Sequence, residues 1–137
     1  GLVELDGDTW LCPDSMKAVE RAVGAGILAV DEILSGSIDA AFCNVRPPGH
    51  HANQTTSSGF CIFNNVAIAA AYAKSQGIKR IAILDIDVHH GNGTQDIYGK
   101  TKEIAYFDSA LTDLELEALT SWDSFNDMAV GQEYTIR

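Results

Sequence analysis

The chain has 137 residues, 46% hydrophobic and 20% charged, with a formal charge of −10 at neutral pH. That length has room for one domain and one modest core. The acidic balance excludes nucleic-acid binding through a basic surface, and no apolar run is long enough to span a bilayer, so neither nucleic acid nor a membrane is an expected partner. Cys12, Cys43 and Cys61 are odd in number and form no Cys-x-x-Cys pair, which points to a reduced, cytoplasmic protein. The opening Gly1-Leu-Val-Glu-Leu-Asp-Gly-Asp8 has no basic-then-apolar signal pattern and reads as the middle of a larger domain. The charge is uneven: residues 108–137 carry seven acids against one Arg.

Pro13-Asp14-Ser15 opens the first predicted helix, since Pro is tolerated in a first turn and an acid there suits the dipole. Val19, Val23, Ile27, Val30 and Leu34 recur at helical spacing, and Gly36 is the expected C-terminal cap. Residues 40–45 read as a buried strand. It leads into Arg46-Pro-Pro-Gly-His-His-Ala52, a loop whose prolines forbid helix. Asn53 to Ser58 is turn-prone, and Gly59-Phe60-Cys61 closes the loop. From about Phe63 to Gln76 an Ala-rich helix is expected, capped by Gly77 and apolar nearly all round.

The next stretch, Arg80 to Gly93, organises the chain. Ile81 to Leu84 reads as a buried parallel strand. It runs into Asp85, Asp87, His89 and His90 and stops at a Gly-Asn-Gly turn. In an extended strand Asp85, Asp87 and His89 share one face. The carboxyl end of such a strand is where open α/β sheets place ligands, and imidazole with carboxylate suits zinc. Thr94 to Tyr98 follows as a short helix and Ile104 to Phe107 as a third strand, the order expected of a parallel sheet. In the tail, Thr112 and Glu115 form a capping-box pattern opening a helix to about Leu119. Trp122, Phe125 and Met128 form an apolar group, and Glu133 to Ile136 an edge strand.

All four histidines lie in two adjacent pairs, His50-His51 and His89-His90, each after a predicted strand. Clustered ionisable groups beside a double-Asp strand suggest a functional site. The bland alternative is that Asp85 and Asp87 cap nearby backbone amides and the imidazoles are solvated.

Three ordered motifs are Arg46-Pro-Pro-Gly-His-His-Ala52, Gly59-Phe-Cys61 with Asn64-Asn65, and Asp85-Ile-Asp-Val-His-His-Gly-Asn-Gly-Thr94. From about Asp6 to Phe107 the chain closely resembles the zinc-dependent histone deacetylase family, which includes bacterial deacetylase-like and acetylpolyamine amidohydrolases. Asn92 looks like the class II and prokaryotic branch. The resemblance implies a three-layer, parallel-sheet arginase/deacetylase-like α/β fold, truncated here. Residues 1–107 would be its central part and residues 108–137 a divergent acidic tail packed on or extending the sheet.

The resemblance also implies roles. Asp87 and His89 match two of three zinc ligands. His50 and His51 match the tandem histidines that activate water and protonate the leaving amine. Asp85 matches the carboxylate that orients His50 and contributes its backbone to a structural potassium site. Asn92 matches the partner of His51, and Gly59 and Phe60 match the walls of the acyl-lysine channel. His90 is not a ligand by this mapping, and Tyr98 lies where the family contributes to a second monovalent-cation site. The implied substrate is an acetylated lysine or polyamine-type amine. The family's third ligand, an Asp, and its carbonyl-polarising Tyr or His come from later loops whose motifs are not found here. Two ligands predict weak or absent zinc. A short sheet with an uncovered edge predicts homo-oligomerisation. Two other readings stand beside the enzyme: a non-catalytic remnant serving as an oligomeric or metal-binding interaction module, and an arginase-like binuclear hydrolase, against which the His pair after Pro-Pro-Gly argues.

Overall fold

The computed structural model describes residues 1–99, which fall in one compact unit. The expected strand at 104–107, the helix opening at Asp113, the apolar group at Trp122, Phe125 and Met128 and the edge strand at 133–136 lie outside the described residues, as does the tail at 108–137.

The chain opens on a hairpin. β1 (Val3–Asp6) pairs antiparallel with β2 (Thr9–Leu11), placing Val3 opposite Leu11, Glu4 opposite Trp10 and Asp6 opposite Thr9. An Asp6-Gly7-Asp8 turn joins them, with the Asp8 amide donating to Asp6 Oδ1 at 3.2 Å. Asp before Gly is a strong hairpin signal.

α1 (Ser15–Leu34) follows the apolar stripe and begins after Asp14, as expected. Its end is set by Ser35, whose amide donates to Asp31 O at 2.9 Å, and by Gly36 at φ +75°. α2 (Asn65–Ser75) is the Ala-rich helix. Its N-cap is Asn64, whose side-chain oxygen accepts from the Ala67 amide at 3.1 Å, one of the donors a helix start leaves without an intrahelical partner. α1 and α2 pack together, and the Tyr72 hydroxyl donates to the Asp31 carboxylate at 2.7 Å across the pair. α3 (Asn92–Tyr98) starts two residues before its expected start and ends at Gly99, in the left-handed region.

The buried apolar residues are small: Val19 and Ala22 of α1, Ala67 and Ala70 of α2, and Ala52 and Cys61 of the loop between them. Small side chains let the loop's backbone approach both helices. The loop carrying His50 and His51 is therefore held in the core, with Ala52 and Cys61 fully buried behind it.

The mixed α/β class is as expected, but two strand assignments need correction. Residues 40–45 and 81–84 form no strand, and the β1–β2 hairpin is the one sheet among the described residues. Both stretches are largely exposed, with Phe42 at 92% and Leu84 at 60% exposure. A buried parallel strand needs neighbours at its sides and cover on its faces, and among the described residues these stretches have no ladder partner. Their apolar character was read correctly; their burial was not.

Candidate active site

Two interactions across the chain assemble the candidate site. The ring Nδ1 of His50 lies 2.8 Å from Asp85 Oδ2. A carboxylate accepts only, so Nδ1–H is the donor, and in the neutral ring Nε2 holds the lone pair. The ring Nδ1 of His51 lies 2.6 Å from Asn92 Oδ1. The amide oxygen also accepts, so here too Nδ1–H is the donor. The rings are neighbours, with centroids 4.1 Å apart and planes inclined by 51°. One ring is backed by an anion and the other by a neutral amide.

Asp87 and His89 form the second group. Asp87 Oδ1 lies 2.9 Å from His89 Nδ1 and accepts from the His89 amide at 2.7 Å. The Asp87 carboxyl is held below its ordinary range, first by that backbone N–H and then by the ring. His89 reaches the tandem pair, with its ring centroid 6.2 Å from that of His51. Asp85, meanwhile, accepts the Asp87 amide on Oδ1 at 3.1 Å while Oδ2 serves His50. The bland alternative is thus half right: both aspartates do cap backbone amides. Yet His50 and His51 are partnered and only partly exposed, so they are not simply solvated.

Carboxylate and imidazole are donor types that suit zinc; here Asp87 and His89 meet in a hydrogen bond. Among the described residues no group of three His, Cys, Asp or Glu is placed to hold a metal ion. His90 is exposed; its carbonyl accepts from the Asn92 amide at 2.8 Å. The Tyr98 hydroxyl donates to Ala67 O at 2.7 Å, so α3 is tied to α2 through the residue matched to a cation site.

The backbone around the histidines is fixed from several sides. The Thr94 amide donates to His50 O at 3.1 Å, joining α3 to the loop. Asn64, only 3% exposed, donates from Nδ2 to Ala52 O at 3.0 Å and to Thr94 Oγ1 at 2.9 Å. One side chain therefore caps α2, holds the loop after His51 and holds α3. Gly93 lies against that same loop, where an added Cβ would sit 2.2 Å from Ala52 O. Asn53 ties the next turn to α3, donating to Asp96 Oδ2 at 3.2 Å.

Gly59 and Phe60 lie beside the pair. Both have positive φ, at +55° and +64°. A Cβ on Gly59 would meet His51 Cδ2 at 2.5 Å, so this backbone lies directly on the imidazole. Phe60 projects outward, 58% exposed. The resemblance puts His50, His51, Asp85, Asn92, Asp87, His89, Gly59 and Phe60 in one site; the structure places His50 on Asp85, His51 on Asn92, His89 on Asp87 and Gly59 on the His51 ring. Sequence reasoning missed Thr9 and Thr94 as supports, and it quoted Asn64 only as part of a motif. An Asn directly before an Ala-rich helix was a readable capping signal; Thr9 gave no local signal, because its partner is 51 positions away.

The Histone deacetylase domain family matches residues 2–113. Histone deacetylase 6 of Caenorhabditis elegans is 51% identical over 100 residues, covering 71% of this chain and 10% of that protein. Polyamine deacetylase HDAC10 of Homo sapiens is 45% identical over 96 residues, 69% of this chain and 14% of that protein. Among solved structures, the crystal structure of the HDA15 HD domain superposes with a TM-score of 0.71 at 40% identity, covering 74% of this chain and 29% of that one. The chain spans from about a tenth to under a third of the length of these proteins. With the tandem histidines, their acid and amide partners and the Asp87–His89 pair in place, the chain belongs to the histone deacetylase family.

Proposed function

We propose that this chain builds the proton-handling part, and two of the metal ligands, of a zinc-dependent deacetylase site for acetylated lysine or acetylated polyamines. The observation that carries this reading is the pairing of two adjacent imidazoles with unlike partners, His50 with Asp85 and His51 with Asn92. Hydrolysis of an amide needs a base for water and an acid for the leaving amine. His50 Nε2, with Nδ1–H fixed on a carboxylate, takes up the proton. His51, carrying a second proton on Nε2 while its Nδ1–H stays on Asn92, gives that Nε2 proton to the departing nitrogen and is left neutral; the proton His50 took from water restores it for the next turnover. Asp85 and Asn92 hold each ring in its tautomer, the task that partners of site histidines perform elsewhere. Gly59 and Phe60 wall the channel for the acyl-bearing stem. Asp87 and His89 would hold zinc, which when bound polarises the carbonyl and lowers the pKa of water. Potassium would be held through the Asp85 backbone.

The test is release of acetate from an acetyl-lysine peptide and from an acetylated polyamine by the zinc-loaded chain. Chelator-sensitive turnover that falls in His51→Ala supports the reading. Absence of turnover from the folded, zinc-loaded chain overturns it. One observation favours a second reading, a metal-binding or oligomeric module without catalysis: among the described residues only two ligands converge. A folded chain that binds zinc and turns nothing over would establish that reading instead.

We further propose that the chain self-associates. Leu84, Ile86, Val88 and Phe42 are all exposed, and such apolar surface tends to be covered in solution. A strictly monomeric species by light scattering at high concentration would contradict this. The cytoplasm is the compartment we propose, on three free cysteines and no bridge.

A further inference from the structure

Phe60 is the one residue other than glycine with positive φ among the described residues. A bulky side chain rarely takes that conformation unless the surroundings hold it there. What holds it is visible. The Phe60 amide donates to Thr9 Oγ1 at 3.1 Å. The Thr9 hydroxyl in turn donates to Asp8 Oδ1 at 2.9 Å, which turns a lone pair toward Phe60. Thr9 is 2% exposed, so water does not readily replace it. Beside it, Ser57 Oγ donates to Asp6 Oδ2 at 3.4 Å. The N-terminal hairpin thus grips the loop at two points, 51 residues along the chain from each.

We infer that Thr9 is a positioning residue: its buried hydroxyl holds the Gly59–Phe60 turn against the His51 ring and sets the direction of the Phe60 side chain. Gly59 can lie on the imidazole only while this turn keeps its shape, since that close approach leaves no room for slack. Phe60 also borders, with Thr9, Trp10, Arg46 and Pro47, an open cleft of about 350 Å³. Loss of the hydroxyl lets the ring swing between this cleft and the proposed channel. The role of the turn in substrate binding rests on the proposed deacetylase reading; the clamp itself does not.

The experiment measures amide hydrogen exchange in the full chain by NMR for the wild type, Thr9→Val, Thr9→Ser and Asp8→Ala, followed by KM and kcat on an acetyl-lysine peptide. Exchange at Phe60 speeds up roughly five- to tenfold in Thr9→Val, the range expected when one hydrogen bond is lost. It stays near wild type in Thr9→Ser, while the Ala67 amide, capped by Asn64, is unchanged throughout. Asp8→Ala, an exposed substitution, gives a smaller acceleration at Phe60 and decides the matter should Thr9→Val fail to fold. Unchanged Phe60 exchange in Asp8→Ala and in any folded Thr9→Val overturns the clamp. In turnover, Thr9→Val raises KM severalfold with a smaller fall in kcat, and Thr9→Ser restores both. An unaltered KM beside faster exchange overturns the positioning role. A wild type without turnover overturns the deacetylase reading and leaves the exchange data to decide the clamp.

Discussion

His50 and Asp85, 35 positions apart, share a 2.8 Å hydrogen bond between Nδ1 and Oδ2, and the side chains are only 16% and 34% exposed. The bond fixes the direction of the imidazole and leaves its other nitrogen free. Asp85→Asn keeps the shape and removes the charge. It is expected to lower turnover on an acetyl-lysine peptide roughly ten- to hundredfold, the usual cost of losing such a partner, with little change in the melting temperature. Steady-state kinetics beside a thermal melt check both parts.

Asn92 serves His51 with a neutral amide at 2.6 Å. Asn92→Ala leaves the ring free to turn and to change tautomer. The expected outcome is a kcat reduced roughly tenfold or more at nearly constant KM, because proton delivery belongs to the transition state. A KM effect at constant kcat would place Asn92 in binding instead.

Asn64 is buried and makes three hydrogen bonds, to Ala67 N, Ala52 O and Thr94 Oγ1. Asn64→Ala removes a helix cap and leaves a buried carbonyl without its donor, at about 1–3 kcal/mol. Urea unfolding should show that loss as a lowered midpoint. Gly93→Ala drives a methyl into Ala52 O and should cost at least as much; a stability equal to wild type would mean that α3 can shift freely away from the loop.

The cysteines should differ in reactivity. The Cys12 thiol is exposed and held below its ordinary range, first by the Ser15 hydroxyl and then by the Asp14 backbone. Burial pushes the Cys61 thiol up. A lower pKa means more thiolate at a given pH, and thiolate is the reactive form. Iodoacetamide at mildly alkaline pH should therefore label Cys12 first and Cys61 last, as read by peptide mass spectrometry. Early labelling of Cys61 would show that the loop opens.

Part of this site was legible because its chemistry is local in sequence, while the pairing of His50 with Asp85 and of His51 with Asn92 was implied only by the family resemblance. The two histidine pairs, Asp85 and Asp87 sit beside turn residues that cannot continue a helix or strand. α1 was legible from its apolar stripe, and α2 from its Ala-rich run between Asn64 and Gly77. The hairpin was missed although Asp6-Gly7 between Leu5 and Thr9 is turn chemistry, because strands of four and three residues show little period. The strand assignments at 40–45 and 81–84 failed for a different reason. Apolar, β-branched residues record what a segment is suited to, whereas a ladder depends on neighbours that a local pattern does not reveal. Thr9 was beyond reach for the same cause: its partner is Phe60, across the fold.

The division of labour between the two groups of the site is the central claim, and zinc content measured beside turnover tests it most directly. The measurement compares the wild type, His89→Ala and His51→Ala, each purified with zinc and assayed on an acetyl-lysine peptide with and without chelator. His89→Ala should lose both zinc and turnover. His51→Ala should keep its zinc and lose turnover. Equal zinc in all three, or undiminished turnover in His51→Ala, would contradict the assignment of Asp87 and His89 to the metal and of the tandem histidines to the proton.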